Sequence, residues 1–209
     1  MIKDIIRIDY GKSTLDECAV FEGGSRTDTI PILFSVFLII TEDRNILVDA
    51  GCETMPGFEM EDFVGTVAAL SEKGYELSDI TDVIITHADH DHIECVKYFE
   101  NATIYIQSDE YDRGESYIPK DFKIRTFDNG YELNNDIKIL KIGGHQKGSC
   151  VVECVEDGKT HVFCGDECYF HYNLQHKVPT ASCYSKENST YFVNKYSDSK
   201  YTCLLCHEK

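Results

Sequence analysis

Three histidines and two aspartates fall within six residues, His87-Ala88-Asp89-His90-Asp91-His92. Imidazole and carboxylate are the side chains that suit zinc, iron and manganese. The cluster begins where Asp82-Val83-Ile84-Ile85-Thr86 stops, a short apolar run that reads as a buried strand. Chemistry is commonly mounted on loops leaving a strand, because the sheet fixes the loop's base. Residues at i and i+2 of an extended segment share a face, so His87 and Asp89 can point one way. A turn then lets Asp91 and His92 point at a second position. The plain alternative is a solvated loop with incidental histidines. The density of ligating types directly after a buried strand argues against it.

The elements that must hold this cluster are legible in outline. Residues 2–10 alternate as a strand, and residues 32–40 read as a buried one, rich in β-branched and aromatic side chains. A turn at 42–45 and a second strand at 46–51 complete a hairpin. Phe63, Val64, Val67, Ala68 and Leu70 lie at helical spacing, which predicts a helix over 59–73 with Gly74 as its C-cap. A helical turn is expected at 77–80, a short helix at 93–99 and a strand at 102–107, whereas 108–130 reads as polar and irregular. Further strands are expected at 137–142, 150–155, 160–164 and 201–205, with weak helical character over 185–198. No repeat or linker interrupts residues 1–209, so one domain is expected. Two sheets covered by helices is one economical arrangement of this order.

Composition narrows the partners. Apolar content of 42% over 209 residues supports a packed core. Lys and Arg total 20 against 37 Asp and Glu, a net charge of -17, and such a surface repels nucleic-acid backbones. The longest apolar run, Ile30 to Ile40, contains Pro31 and Ser35 and is short of the roughly 20 residues a membrane span takes. The charged start of the chain does not read as a signal peptide, so a cytoplasmic location is expected. In that compartment the ten cysteines read as free and mostly buried thiols. The expected partner is a small-molecule substrate, with neither nucleic acid nor membrane and with a homodimer left open.

Further residues make the cluster part of a longer pattern: Leu47-Val48-Asp49-Ala50-Gly51, Gly144-His145-Gln146-Lys147-Gly148-Ser149, Phe163-Cys164-Gly165-Asp166 and Cys206-His207-Glu208. Together with residues 86–92 this series resembles the metallo-β-lactamase superfamily, in the right order over roughly residues 30 to 209. The resemblance implies an α/β fold, a four-layer αββα sandwich of two mixed sheets flanked by helices. It implies two divalent metal ions, zinc first, with iron or manganese as alternatives. One ion would be held by His87, Asp89 and His145, the other by Asp91, His92 and His207, with Asp166 shared. A hydroxide between them would attack the substrate, and Asp91 would orient it. Asp49 would fix a ligand histidine through that histidine's other ring nitrogen.

One position departs from the family's pattern. Histidine is usual where Asp89 stands; a carboxylate there occurs in flavodiiron members and would favour iron or manganese somewhat. A rival register would make His90 the ligand, at the expense of the alternation from His87. Tyr169, three residues after Asp166, matches the N-acyl homoserine lactonases of the superfamily and implies a phenol beside the substrate carbonyl. The tail before His207 is shorter than in that group. The implied function is opening of a small carbonyl ester, lactones first. The alternatives are a thioesterase of the glyoxalase II type, a phosphodiesterase or nuclease, a diiron redox protein and a silent metal-site sensor. Cys203-Leu204-Leu205-Cys206-His207 also fits a haem-attachment pattern, which an expected cytoplasmic location disfavours. Cys150, Cys154, Cys164 and Cys168 are too loosely spaced to favour a structural zinc site, and His161, His171 and His176 read as non-ligating.

Overall fold

A computed structural model describes residues 1–209. Six strands form the first sheet in chain order: β1 (Ile2–Asp16), β2 (Thr29–Thr41), β3 (Asn45–Val48), β4 (Asp82–Ile85), β5 (Thr103–Gln107) and β6 (Lys123–Phe127). The β1–β2 and β2–β3 pairs are antiparallel, and β3 to β6 run parallel. Five strands form the second: β7 (Gly130–Glu132), β8 (Ile137–Lys141), β9 (Cys150–Glu156), β10 (Lys159–Phe163) and β11 (Tyr201–Leu204). Only β10 and β11 pair in parallel there. Both sheets are mixed, as expected.

The near-continuous apolar runs have a simple cause: each sheet is covered on both faces, so neither parity of a strand meets water. Phe37, Ile39, Ile46, Val48 and Ile84 meet Ile137, Ile139, Val152 and Phe163 between the sheets. The alternate residues Phe34, Val36, Leu38, Leu47, Val83 and Ile85 face outward, under Ala69 and Leu70 of helix α2 (Thr66–Glu72). On the far side, Val151 and Val162 pack with Leu174, Phe192, Val193 and Tyr196. These side chains come from helices α5 (His171–His176) and α6 (Lys186–Tyr196). The result is the expected αββα sandwich.

Several expectations fail for physical reasons. The helix expected over 59–73 forms only over Thr66–Glu72. Asp62 (φ 48°) and Gly65 (φ 77°) take left-handed backbone that a helix cannot contain. Residues 61–63 lie against β1 instead: Lys12 and Glu61 exchange backbone hydrogen bonds of 2.8 Å. Phe63 packs on Tyr10, with a Cβ on Gly11 coming within 2.6 Å of its ring. The apolar spacing does not mark one buried helix face: Phe63 is half-buried against β1 and Val64 is exposed. Residues 108–130 are not irregular, since they contain α4 (Ser108–Gly114), β6 and the start of β7. The segment after Asp166 forms α5, and β1 runs six residues past its expected end at residue 10. The remaining α-helices are the single turns α1 (Glu17–Val20) and α3 (His90–Ile93), the latter starting within the histidine cluster. The turn expected at 77–80 and the helix expected at 93–99 form as 3-10 turns over Leu77–Asp79 and Glu94–Tyr98. No helix is long and apolar enough to cross a membrane. All ten cysteines are free, seven of them buried.

Candidate metal centre

Four loops deliver the candidate residues, and all leave the C-terminal ends of strands. The 86–92 segment follows β4, His145 follows β8, Asp166 follows β10, and His207 follows β11. Strands β8 and β10 both flank β9 antiparallel, and β11 is parallel to β10, so these three ends emerge on one side. The two sheets are tied there by a backbone hydrogen bond of 2.9 Å from Cys150 N–H to the Thr86 carbonyl.

Each of the four histidines is fixed through Nδ1. Asp49 accepts from His92 Nδ1 at 2.8 Å, the Ser182 carbonyl accepts from His145 Nδ1 at 3.1 Å, and the Leu33 carbonyl accepts from His207 Nδ1 at 2.8 Å. These partners cannot donate, so Nδ1 carries the proton. His87 Nδ1 lies 3.0 Å from Thr86 Oγ1, whose own hydrogen goes to Asp49 at 2.9 Å; the hydroxyl must therefore accept from His87. Nε2 of all four rings is left to face the cluster. Asp49 also accepts from Thr86 N–H at 2.7 Å. It does so from left-handed backbone (φ 63°), a strain its three hydrogen bonds offset.

The Nε2 atoms and carboxylates gather in two groups. His87, Asp89, His145 and Asp166 form one; His92, Asp166, Cys206 and His207 form the other, with ligand atoms within 4.8 Å of one another in each. The Asp166 carboxylate divides between them. Its Oδ2 lies 3.7 Å from both His87 and His145 Nε2, and its Oδ1 lies 3.1 Å from His92 and 3.0 Å from His207 Nε2. Asp89 Oδ2 stands 3.4 Å from His87 and 3.0 Å from His145 Nε2. Asp91 Oδ2 stands 3.5 Å from His92 and 3.9 Å from His207 Nε2. It faces the second group from outside, and Cys206, not singled out as a ligand from the sequence, sits inside. His90 turns away, with Nε2 2.8 Å from the Thr54 carbonyl and Nδ1 3.2 Å from Tyr117 Oη. His161 pairs with Glu156, His171 with Glu208, and His176 stacks on Tyr172.

The donor set fits cations. His87 Nε2 and His92 Nε2 are fully buried and have no hydrogen-bond partner, a costly state for a ring nitrogen unless something else binds it. Burial works against a charged imidazole at His92, yet Asp166, Asp91 and Asp49 raise its pKa well above the ordinary value. Burial likewise opposes ionisation of Asp166, but His207, His92 and His87 hold its carboxyl well below the usual range. A pocket this negative and this dry is one that attracts positive charge.

Asp89 has company that explains how a carboxylate is tolerated there. Burial opposes its ionisation, and His145, the nearby His87 ring and the Arg113 guanidinium more than offset it. Arg113 grips Asp89 Oδ1 with one nitrogen and Glu110 Oε2 with another. Glu110 is fully buried and accepts at 2.9 Å from both Ala88 N–H and Gly148 N–H. It ties the 86–92 loop to the His145 loop. Glu167 holds the other side of that loop, accepting from Gly144 N–H at 3.0 Å, His145 N–H at 3.3 Å and Ser149 Oγ. The fit requires glycine at 144, where a Cβ would come within 2.1 Å of Glu167 Oε2. Neither Glu110, Arg113 nor Glu167 was singled out from the sequence; Glu167 alone carried a signal, its place beside Asp166.

Above the metal-type groups lies a cavity of about 180 Å³ walled by Leu15, Ile32, Phe34, Met55 and Phe58, with Asp89, Asp91, Asp166, Tyr169 and His207 at its floor. Tyr169 Oη donates to Asp166 Oδ2 at 2.9 Å. Burial, and then Asp166, raise its pKa well above the usual phenol value, so it keeps its proton.

The family model described as the metallo-beta-lactamase superfamily matches residues 34–169. The chain belongs to that superfamily. The match takes in His87 to Tyr169 and stops before Cys206 and His207. Among curated relatives, an N-acyl homoserine lactonase of a Bacillus species is 24% identical over 207 residues, covering 86% of this chain and 82% of the relative. A probable metallo-hydrolase of Methanocaldococcus jannaschii is 32% identical over 121 residues, covering 58% of this chain and 52% of its own. Among solved structures, an N-acyl homoserine lactone hydrolase with N-hexanoyl-L-homoserine bound at its catalytic metal centre superposes with a TM-score of 0.85. It is 20% identical, covering 100% of this chain and 94% of that one. A dizinc quorum-quenching lactonase superposes with a TM-score of 0.77 at 18% identity, covering 100% and 90%. At these identities the structural likeness establishes the fold.

Proposed function

We propose that residues 1–209 form one catalytic domain that hydrolyses small carbonyl esters, lactones first, with two divalent metal ions. In this reading His87, Asp89 and His145 hold one ion, Asp91, His92 and His207 the other, and Asp166 both. The observation that carries it is the convergence of four Nδ1-anchored histidines on a carboxylate whose two oxygens face different pairs. Ions bound there supply Lewis-acid polarisation of a carbonyl and lower the pKa of water toward neutrality.

The chain's own residues do the rest. The apolar wall from Leu15 to Phe58 takes the uncharged body of the substrate and excludes bulk water from the ester. Asp91, on the cavity floor, accepts a proton from the attacking water and so orients it. Tyr169, protonated and within reach of the same floor, donates to the carbonyl oxygen as negative charge grows there. A neighbouring cavity of about 490 Å³ shares Ile32 and His207 and adds Ile30, Pro31, Leu33 and Phe170, room for an acyl chain beside the ring. Its cations Lys12 and Lys209 are matched there by Glu61 and Glu208, so it lacks the net positive grip a glutathione thioester needs. Curated lactonase relatives over 86% of the chain support the same substrate class.

The test is a panel of N-acyl homoserine lactones, simple thioesters, phosphodiesters and β-lactams, each assayed with zinc, manganese or iron. Lactones are expected to turn over at least tenfold faster, by kcat/KM, than any other class. Turnover of thioesters or phosphodiesters with lactones left intact would refute the substrate assignment.

A further inference from the structure

The ligand sets above give Cys206 no part, yet it stands in a metal-type group with two histidines, whereas buried Cys95 faces only the carboxylates of Glu53 and Glu94. Cys150, Cys164 and Cys168 each donate S–H to a backbone carbonyl two residues away, the ordinary lodging of a core thiol. Cys206 Sγ instead sits 3.4 Å from the Gly165 carbonyl and 3.4 Å from Asp166 Oδ1, groups some 40 positions distant in sequence. It belongs to the group in which all ligand atoms, with His92 and His207 Nε2, lie within 4.8 Å. Zinc–sulfur and zinc–oxygen bonds of about 2.3 and 2.1 Å allow two ligands of one ion to stand up to about 4.4 Å apart. The 3.4 Å to Asp166 therefore falls within that span. A separate observation points to the same place. His92 Nε2 is buried, its ring is fixed by Asp49, and it has no hydrogen-bond partner.

We propose that Cys206 Sγ is a ligand of the ion held by His92 and His207, making that position the softer of the two. This rests on the two-ion reading given above. On binding, the S–H bond breaks, sulfur keeps the electron pair for the metal, and the proton leaves to solvent. Sulfur favours zinc or cobalt over manganese, whereas the position built on Asp89 has only nitrogen and carboxylate oxygen to offer. The two positions thus differ in chemistry. A chelator is expected to strip the Asp89 position first.

The test is the absorption spectrum of the full-length protein loaded with cobalt(II) in place of its native metal. A near-ultraviolet thiolate-to-cobalt charge-transfer band is expected in the parent protein and in Cys203→Ser. It is expected to vanish in both Cys206→Ser and Cys206→Ala, with zinc affinity at one position falling by roughly tenfold or more. Absence of the band from the unaltered protein is decisive by itself, and Cys206→Ala provides a second variant should Cys206→Ser fail to fold. Cobalt uptake without a thiolate band, or a band that persists in folded Cys206→Ser, overturns this inference and leaves the hydrolase reading standing. Failure to take up cobalt or zinc at all overturns both.

Discussion

Asp166→Asn is expected to lower lactone turnover by about 10³-fold or more, roughly 4 kcal/mol of barrier. No other side chain serves both groups. One oxygen of Asp166 faces His87 and His145, and the other faces His92 and His207. The amide has the same shape but replaces one oxygen with an NH2 that cannot bind a cation, and it removes the charge that opposes four imidazoles. Whichever way it turns, one group loses its shared oxygen. The fold is expected to persist, because the histidines are anchored through Nδ1 by Asp49, Thr86, Ser182 and Leu33. Steady-state hydrolysis and circular dichroism check this together. A folded variant keeping more than a tenth of the activity would refute the shared role.

Glu110→Ala is expected to cost about 4 kcal/mol of stability and lower Tm by roughly 10 °C. Glu110 is fully buried, and its carboxylate accepts from Ala88 and Gly148 N–H groups while pairing with Arg113. Alanine leaves two amides without their acceptor, at about 1–3 kcal/mol each, and leaves Arg113 with Asp89 alone. Because Glu110 joins the two ligand loops, activity is expected to fall with stability. Glu110→Gln, which keeps one acceptor oxygen, is expected to lose less. Thermal unfolding followed by circular dichroism is the measurement, and a drop of under 2 °C in the alanine variant would contradict the tie.

What the sequence made legible follows from physics that acts locally. The 86–92 cluster stands out because ligating side chains are dense there and follow the three apolar residues Val83, Ile84 and Ile85. The strands stand out because both faces of each sheet are buried, which turns Val36 to Ile39 and Val83 to Ile85 into unbroken apolar runs. Glu110 and Arg113 were hidden because nothing in a polar stretch distinguishes a carboxylate that tertiary structure buries from one in water. The only local cue was Gln107, whose side chain caps α4 by accepting from Asp109 and Glu110 N–H. Residues 59–65 misled because apolar spacing alone does not fix the element: Phe63 packs on Tyr10 of β1, Val64 is exposed, and the left-handed backbone at Asp62 and Gly65 decided the outcome. Cys206 was one cysteine among ten until the fold brought Asp166 against it. The departure at Asp89 reads differently once Arg113 is seen. The chain has a carboxylate where histidine is usual, and it has placed a guanidinium on that carboxylate's far oxygen.

The central claim is that these loops hold two metal ions, and elemental analysis of the protein purified without added metal tests it most directly. About two divalent ions per chain are expected, lost with activity on exhaustive chelation and regained with it on adding zinc. A protein that contains no metal, takes none up, and is folded would contradict it.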